Sequence, residues 1–175
     1  MKLKIFATGG TFDKVYNKSD GSLIFKETHL NEMLKDAECK IDVEIETIIL
    51  IDSIYMEDQH RKEILDKCKS CKEERIVITH GTDTMVETAK LLGKEIKDKA
   101  IVLTGSMIPY SFVKSDAHFN LGCAIAFAQF LPKGVYIVMH GKIFSYDNVR
   151  KNKENSEFEK KINSLILSAK IHFQI

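Results

Sequence analysis

Neither sign of charge prevails in this sequence. Its 26 lysines and arginines stand against 25 aspartates and glutamates, a formal net charge of +1. Without a one-signed field, nothing draws the chain to nucleic acid or to an anionic membrane surface. No stretch reaches the roughly 20 apolar residues that a membrane-spanning helix needs. The sequence enters a strand-like run within a few residues, so no secretory signal is expected. Cysteine is scarce: Cys39, Cys68, Cys71 and Cys123. The pair Cys68-Lys69-Ser70-Cys71 is half a zinc site, with no second pair or histidine spacing to complete it. As a redox motif it sits late in a charged helix instead of opening one. The four read as reduced thiols of a cytoplasmic protein. A Walker lysine and the G-x-G-x-x-G spacing are both missing, so nucleotide binding has no support. His80 and His140 have no partners at ligand spacing, so no metal and no cofactor is expected, and each histidine reads as a hydrogen-bonded junction residue. With no internal repeat and no low-complexity linker, residues 1–175 read as one domain, large enough to bury roughly 70% of its unfolded surface.

What is present is an alternation of strand and helix patterns from end to end. Lys2–Thr8 reads as a first strand and ends in Thr8-Gly9-Gly10-Thr11. Phe12–Phe25, polar and broken by Asn17-Lys18-Ser19-Asp20-Gly21, reads as a hairpin or flap. Thr28 caps a short helix with Leu30, Met33 and Leu34 on one face. Ile41–Ile51 changes from alternating to fully apolar, as a strand does on entering the middle of a sheet, and finishes in Asp52-Ser53. Met56–Cys71 is a charged helix burying Ile64, Leu65 and Cys68. Arg75–Thr79 is short, β-branched and apolar, and suits a buried parallel strand. After it, Asp83 or Thr82 can cap a helix that opens at Met85. Ile101–Thr104 and Val135–His140 are further strands. Between them Ser115 or Asp116 caps a helix whose Phe119, Cys123, Phe127 and Phe130 share a face. This order predicts an α/β fold: a doubly wound, mainly parallel sheet in three α/β/α layers.

In such a sheet ligands bind at the carboxyl ends of the strands. That rule brings together Thr11, Ser53, Thr82, Asp83 and the loop after Gly105, which holds Ser106. Hydroxyls, a carboxylate and backbone donors suit acyl transfer on a small polar substrate. Taken singly, each stretch is also a capped strand–helix junction or a plain turn. A threonine hydroxyl needs a base, and a lysine beside a carboxylate can serve. Arg150-Lys151-Asn152-Lys153 offers one, although by pattern alone it is a solvated basic stretch.

Thr8-Gly9-Gly10-Thr11, His80-Gly81-Thr82-Asp83-Thr84 and Gly105-Ser106-Met107-Ile108-Pro109 resemble the signature stretches of the bacterial-type, threonine-nucleophile L-asparaginase family. Asp116-x-x-x-Asn120-Leu121 and Val138-Met139…Asn148-Val149-x-Lys151 match it in order and approximate spacing. The resemblance covers nearly the whole chain, and only the family's N-terminal, active-site domain. It implies an amidohydrolase that converts L-asparagine to L-aspartate and ammonia. Thr11 would be the nucleophile, and Thr82, Asp83 and Lys151 a proton-relaying set. Asp83 would hold the substrate's α-amino group and Ser53 its α-carboxylate. Tyr16 would be the flap tyrosine that orients Thr11, at a shorter distance along the chain than in two-domain members. The family's C-terminal domain, which supplies an acidic residue to a neighbouring subunit's site, is expected to be absent, as in single-domain short forms. Asp52 is a candidate replacement for that acidic group. A homodimer or higher oligomer is expected, through the apolar tail Leu165–Leu167. Two other readings stand beside it: a non-catalytic amino-acid-binding module on the same domain, and the amidase subunit of a larger amidotransferase.

Overall fold

The computed structural model describes residues 2–161. β1 (Leu3–Gly9) is buried along its whole length. A 3-10 turn over Thr11–Asp13 follows, then a hairpin of β2 (Lys14–Tyr16) and β3 (Leu23–Phe25). α1 (Leu30–Asp36) and β4 (Val43–Ile51) come next, and a second 3-10 turn over Ser53–Tyr55 leads into α2 (Asp58–Ser70). Then come β5 (Arg75–Thr79), α3 (Met85–Glu95), β6 (Ala100–Thr104) and α4 (Ala117–Phe130). β7 (Gly134–Met139) and β8 (Lys142–Ser145) precede a short hairpin of β9 (Arg150–Asn152) and β10 (Glu157–Glu159). Leu165–Leu167, the expected contact between protomers, lies outside the described residues.

The main sheet has the order β4-β1-β5-β6-β7-β8. Its pairs are parallel except for β7 with β8. Each strand sends alternate residues to opposite faces, and two apolar clusters result. Phe6, Ile76, Ile78 and Ile101 meet Ile64, Met85 and Leu92 of α2 and α3. On the other face Ile5, Val77 and Val102 meet Met33, Leu121 and Ala124 of α1 and α4. The three-layer, doubly wound arrangement expected from the pattern is therefore present. The chain steps from β1 outward to β4, then returns past β1 to β5. The strand order reverses between β1 and β5, so the crevice at their carboxyl ends is the topological switch point.

Two local expectations change. The residue at the cap position of α3 is Thr84, neither Asp83 nor Thr82, and no side chain caps the helix; the Thr84 hydroxyl donates instead to the Ser53 carbonyl oxygen at 2.8 Å. Phe119, Cys123, Phe127 and Phe130 share a face of α4 that divides: Phe119 and Phe130 are 59% and 87% exposed, whereas Cys123 and Phe127 are partly buried against the core. Ala117, Leu121, Ala124 and Ala128 line the sheet side. The three alanines among them let the helix lie close on the strands.

Candidate active site

The site is built on close backbone approach. Gly10, which precedes the Thr11 turn, has φ 75° and ψ −172°, a region open essentially to glycine alone. A β-carbon on Gly10 would lie 2.4 Å from the Gly81 Cα, and one on Gly81 would lie 2.4 Å from the Ser53 Oγ. The loops that follow β1, β5 and β4 thus touch one another directly, and no larger residue fits between them. Thr11 opens its turn half-buried. Among the described residues its hydroxyl has no protein hydrogen-bond partner.

Lys151 enters from β9, whose pairing with β10 sets it opposite Phe158. Its ammonium donates to the Thr82 hydroxyl at 2.8 Å and pairs with the Asp83 carboxylate at 2.8 Å. Thr82 is buried and Lys151 is only 13% exposed, whereas Asp83 is 43% exposed. In this protonation state lysine is the donor. Once it gives up a proton the same contact reverses, and the hydroxyl can donate to the free amine. The set can therefore hold or pass one proton without rearrangement.

Ser53 is fully buried. Its carbonyl and its hydroxyl both accept hydrogen bonds from Thr84, the hydroxyl from the backbone N–H at 3.4 Å. Asp52 beside it accepts the Ile54 N–H at 3.2 Å and forms an ion pair with Lys14. Burial pushes the Asp52 carboxyl up, but Lys14, the Ile54 amide and Lys151 together hold it below the ordinary range. Ser106 is buried, and its hydroxyl has no partner among the described residues. Tyr16 stands on the hairpin, 54% exposed, and no hydrogen bond to Thr11 is formed among the described residues. Thr82, Asp83 and Lys151 are therefore in direct contact, and Ser53 joins them through Thr84 and Gly81.

His80 is a junction residue, as expected. Its Nδ1 donates to the Gly81 carbonyl and its Nε2 accepts from the Thr88 hydroxyl, both at 2.8 Å. Complete burial holds the imidazole neutral, with its pKa down to about 4. Asp116 has a larger role than a helix cap. Its carboxylate accepts the Met107 and Ile108 N–H groups at 3.0 Å, Asn120 Nδ2 at 2.8 Å and His140 Nε2 at 3.0 Å. Burial raises this carboxyl's pKa, and the two loop amides and His140 outweigh that and keep it ionised. Asn120 also donates to the Gly105 carbonyl at 3.0 Å and accepts the His140 N–H at 2.9 Å. The loop that carries Ser106 and places Met107 against the Thr82 hydroxyl, at 3.9 Å, hangs from this cluster. The spacing of Asp116 and Asn120, one turn apart on a helix, was the only signal in the sequence. Among the described residues no group of three or more histidines, cysteines or carboxylates could hold a metal ion. No described helix is long and apolar enough to cross a membrane.

Residues 2–163 match the family model of the asparaginase N-terminal domain. The chain is 34% identical over 160 residues to a glutaminase-asparaginase of Acinetobacter glutaminasificans, covering 84% of this chain and 48% of that one. It is 31% identical over 148 residues to a subunit of the glutamyl-tRNA(Gln) amidotransferase of Methanococcus vannielii, covering 81% of this chain and 34% of the relative. Among solved structures, the thermostable L-asparaginase from Thermococcus kodakarensis superposes with a TM-score of 0.80 at 29% identity, over 91% of this chain and 51% of that one. The chain spans about half the length, or less, of the curated relatives it matches.

Proposed function

The chain belongs to the asparaginase family, and we propose that it hydrolyses the side-chain amide of L-asparagine to L-aspartate and ammonia. The Thr11 hydroxyl attacks the amide carbon, ammonia leaves with a proton, and water then cleaves the resulting threonyl ester. Thr82, Lys151 and Asp83 relay the protons. Asp83 holds the α-amino group, Ser53 the α-carboxylate, and Ser106 lines the amide side. Tyr16 orients Thr11 from the flap. The protein works in the cytoplasm as a homodimer or higher oligomer, with no cofactor.

One observation carries this reading: the Lys151 ammonium, 2.8 Å from both Thr82 and Asp83, at the switch point of the sheet. A half-buried lysine joined to a hydroxyl and a carboxylate is more than a binding module for an amino acid needs. The test is ammonia release by the purified protein from L-asparagine, L-glutamine and other small amides. Release from asparagine supports the proposal, and silence toward every amide overturns it.

A second reading, an amidase component within an amidotransferase, is favoured by the similarity to the Methanococcus vannielii protein. It expects ammonia release to be weak until the partner assembly is added, and full activity of the protein alone argues against it.

A further inference from the structure

Lys14 leaves the Thr11 turn, and its side chain does not run out into solvent. It is only 16% exposed, and its ammonium pairs with Asp52, itself 19% exposed. The Lys14 carbonyl accepts a hydrogen bond from Ser111 Oγ at 3.0 Å, and Nζ lies 5.8 Å from the centre of the Phe25 ring. Backbone, carboxylate and ring together fix this lysine in place. Asp52 is equally fixed through the Ile54 amide, and it directly precedes Ser53. Desolvation offsets most of the attraction in a pair of this kind, so stability alone is a weak reason for it. Its position gives a better one.

We propose that Lys14 is a specificity-determining residue: by pairing with Asp52 it cancels the carboxylate next to Ser53, and so lets the site accept a substrate with a free α-carboxylate. This rests on the reading that Ser53 receives that carboxylate. It also assigns Asp52 to Lys14 instead of to the substrate's α-amino group. With Lys14 gone, a negative charge stands one residue from where a second one must arrive. Between side chains as shielded as these, such repulsion weakens binding by roughly ten-fold or more.

A charge series tests this. The pair is neutral in the wild type, negative in Lys14→Met, positive in Asp52→Asn, and neutral again in the double variant. KM for L-asparagine and the calorimetric Kd for L-aspartate are measured in all four, with thermal melts to establish folding. The expected result is a roughly ten-fold rise in both constants for Lys14→Met, with kcat nearly unchanged. The double variant returns close to the wild type, and Asp52→Asn binds more tightly than the double variant.

An unchanged Lys14→Met overturns the proposal. So does a double variant as weak as Lys14→Met, since a lost tether or direct contact would not be rescued by removing the opposite charge. If Lys14→Met fails to fold, Asp52→Asn against the double variant asks the same question without an unpaired carboxylate, and equal binding is then the overturning result. Aspartate binding that follows the charge order without any ammonia release leaves this inference standing and removes the proposed hydrolysis. Hydrolysis with a flat charge series does the reverse. Neither binding nor turnover removes both.

Discussion

The Lys151 ammonium and the Thr82 hydroxyl stand 2.8 Å apart although 69 residues separate them in the chain. Between them run α3, three strands of the main sheet and α4, so the contact exists only when the sheet is complete through β8 and the β9–β10 hairpin has closed over it. Both partners are largely shielded from water, which strengthens their hydrogen bond and makes its loss costly.

Replacing the proposed nucleophile should separate chemistry from binding. Thr11→Ala is expected to abolish turnover, a loss of several orders of magnitude, while leaving thermal stability within about 1 kcal/mol of the wild type. Calorimetry with L-aspartate should still detect binding. Near-native ammonia release in this variant would remove Thr11 from the mechanism.

The two lysines of β9 and its turn divide sharply. Lys151→Met should lower kcat by roughly 10²–10⁴-fold, the scale of a lost general base. Lys153, two residues on and exposed, should tolerate the same change with little effect. Equal losses in both variants would mean that the relay has been assigned to the wrong lysine.

Asp116 is expected to act on the proposed chemistry from a distance. Asp116→Ala leaves the Met107 and Ile108 amides and the Asn120 side chain without their shared acceptor, at a cost of about 2 kcal/mol or more. Because Met107 packs on the Thr82 hydroxyl, kcat should fall as well. Asp116→Asn keeps one carbonyl oxygen for the loop amides and should lose clearly less of both. Urea melts and steady-state rates on the two variants decide the matter, and wild-type kcat in Asp116→Ala would limit the cluster to stability.

His80 makes stability depend on pH. Its folded pKa is down to about 4, whereas an exposed histidine titrates near 6.5. Between these values the unfolded chain binds more protons than the folded one. The contribution is therefore intact above about pH 6.5 and is lost as pH falls toward 4, by about 2 kcal/mol at pH 5. His80→Gln should be less stable at pH 7 and yet show a shallower decline between pH 7 and 5. Urea midpoints at both values measure the difference, and parallel declines would exclude His80 as the cause.

The elements legible in the sequence were those with a strong period and a buried face. β5, with its β-branched run, was found at its full length, and the strand-end location of Thr11, Ser53 and Thr82 followed from the parallel arrangement. The cap of α3 was misplaced because Thr82, Asp83 and Thr84 can all cap in principle. None of the three side chains caps the helix, and the hydroxyl at the cap position is spent on Ser53, 31 residues earlier. The β9–β10 hairpin gave no signal at all: Arg150–Asn152 is short and charged, and pattern alone made Lys151 a solvated residue. Only the resemblance singled it out. The work of Asp116 was equally hidden, since its partners Met107 and His140 lie 9 and 24 residues away and no local rule connects them.

The distance along the chain between Thr82 and Lys151 also bears on how the protein would acquire the proposed activity. Contacts between residues far apart in sequence form late, because the loop they close must be ordered first. Helices α2 and α3 and the β1–β5 pairing can assemble without β9. Refolding from urea should therefore restore helical circular dichroism before it restores turnover. The interval between the two signals then times the arrival of a single lysine.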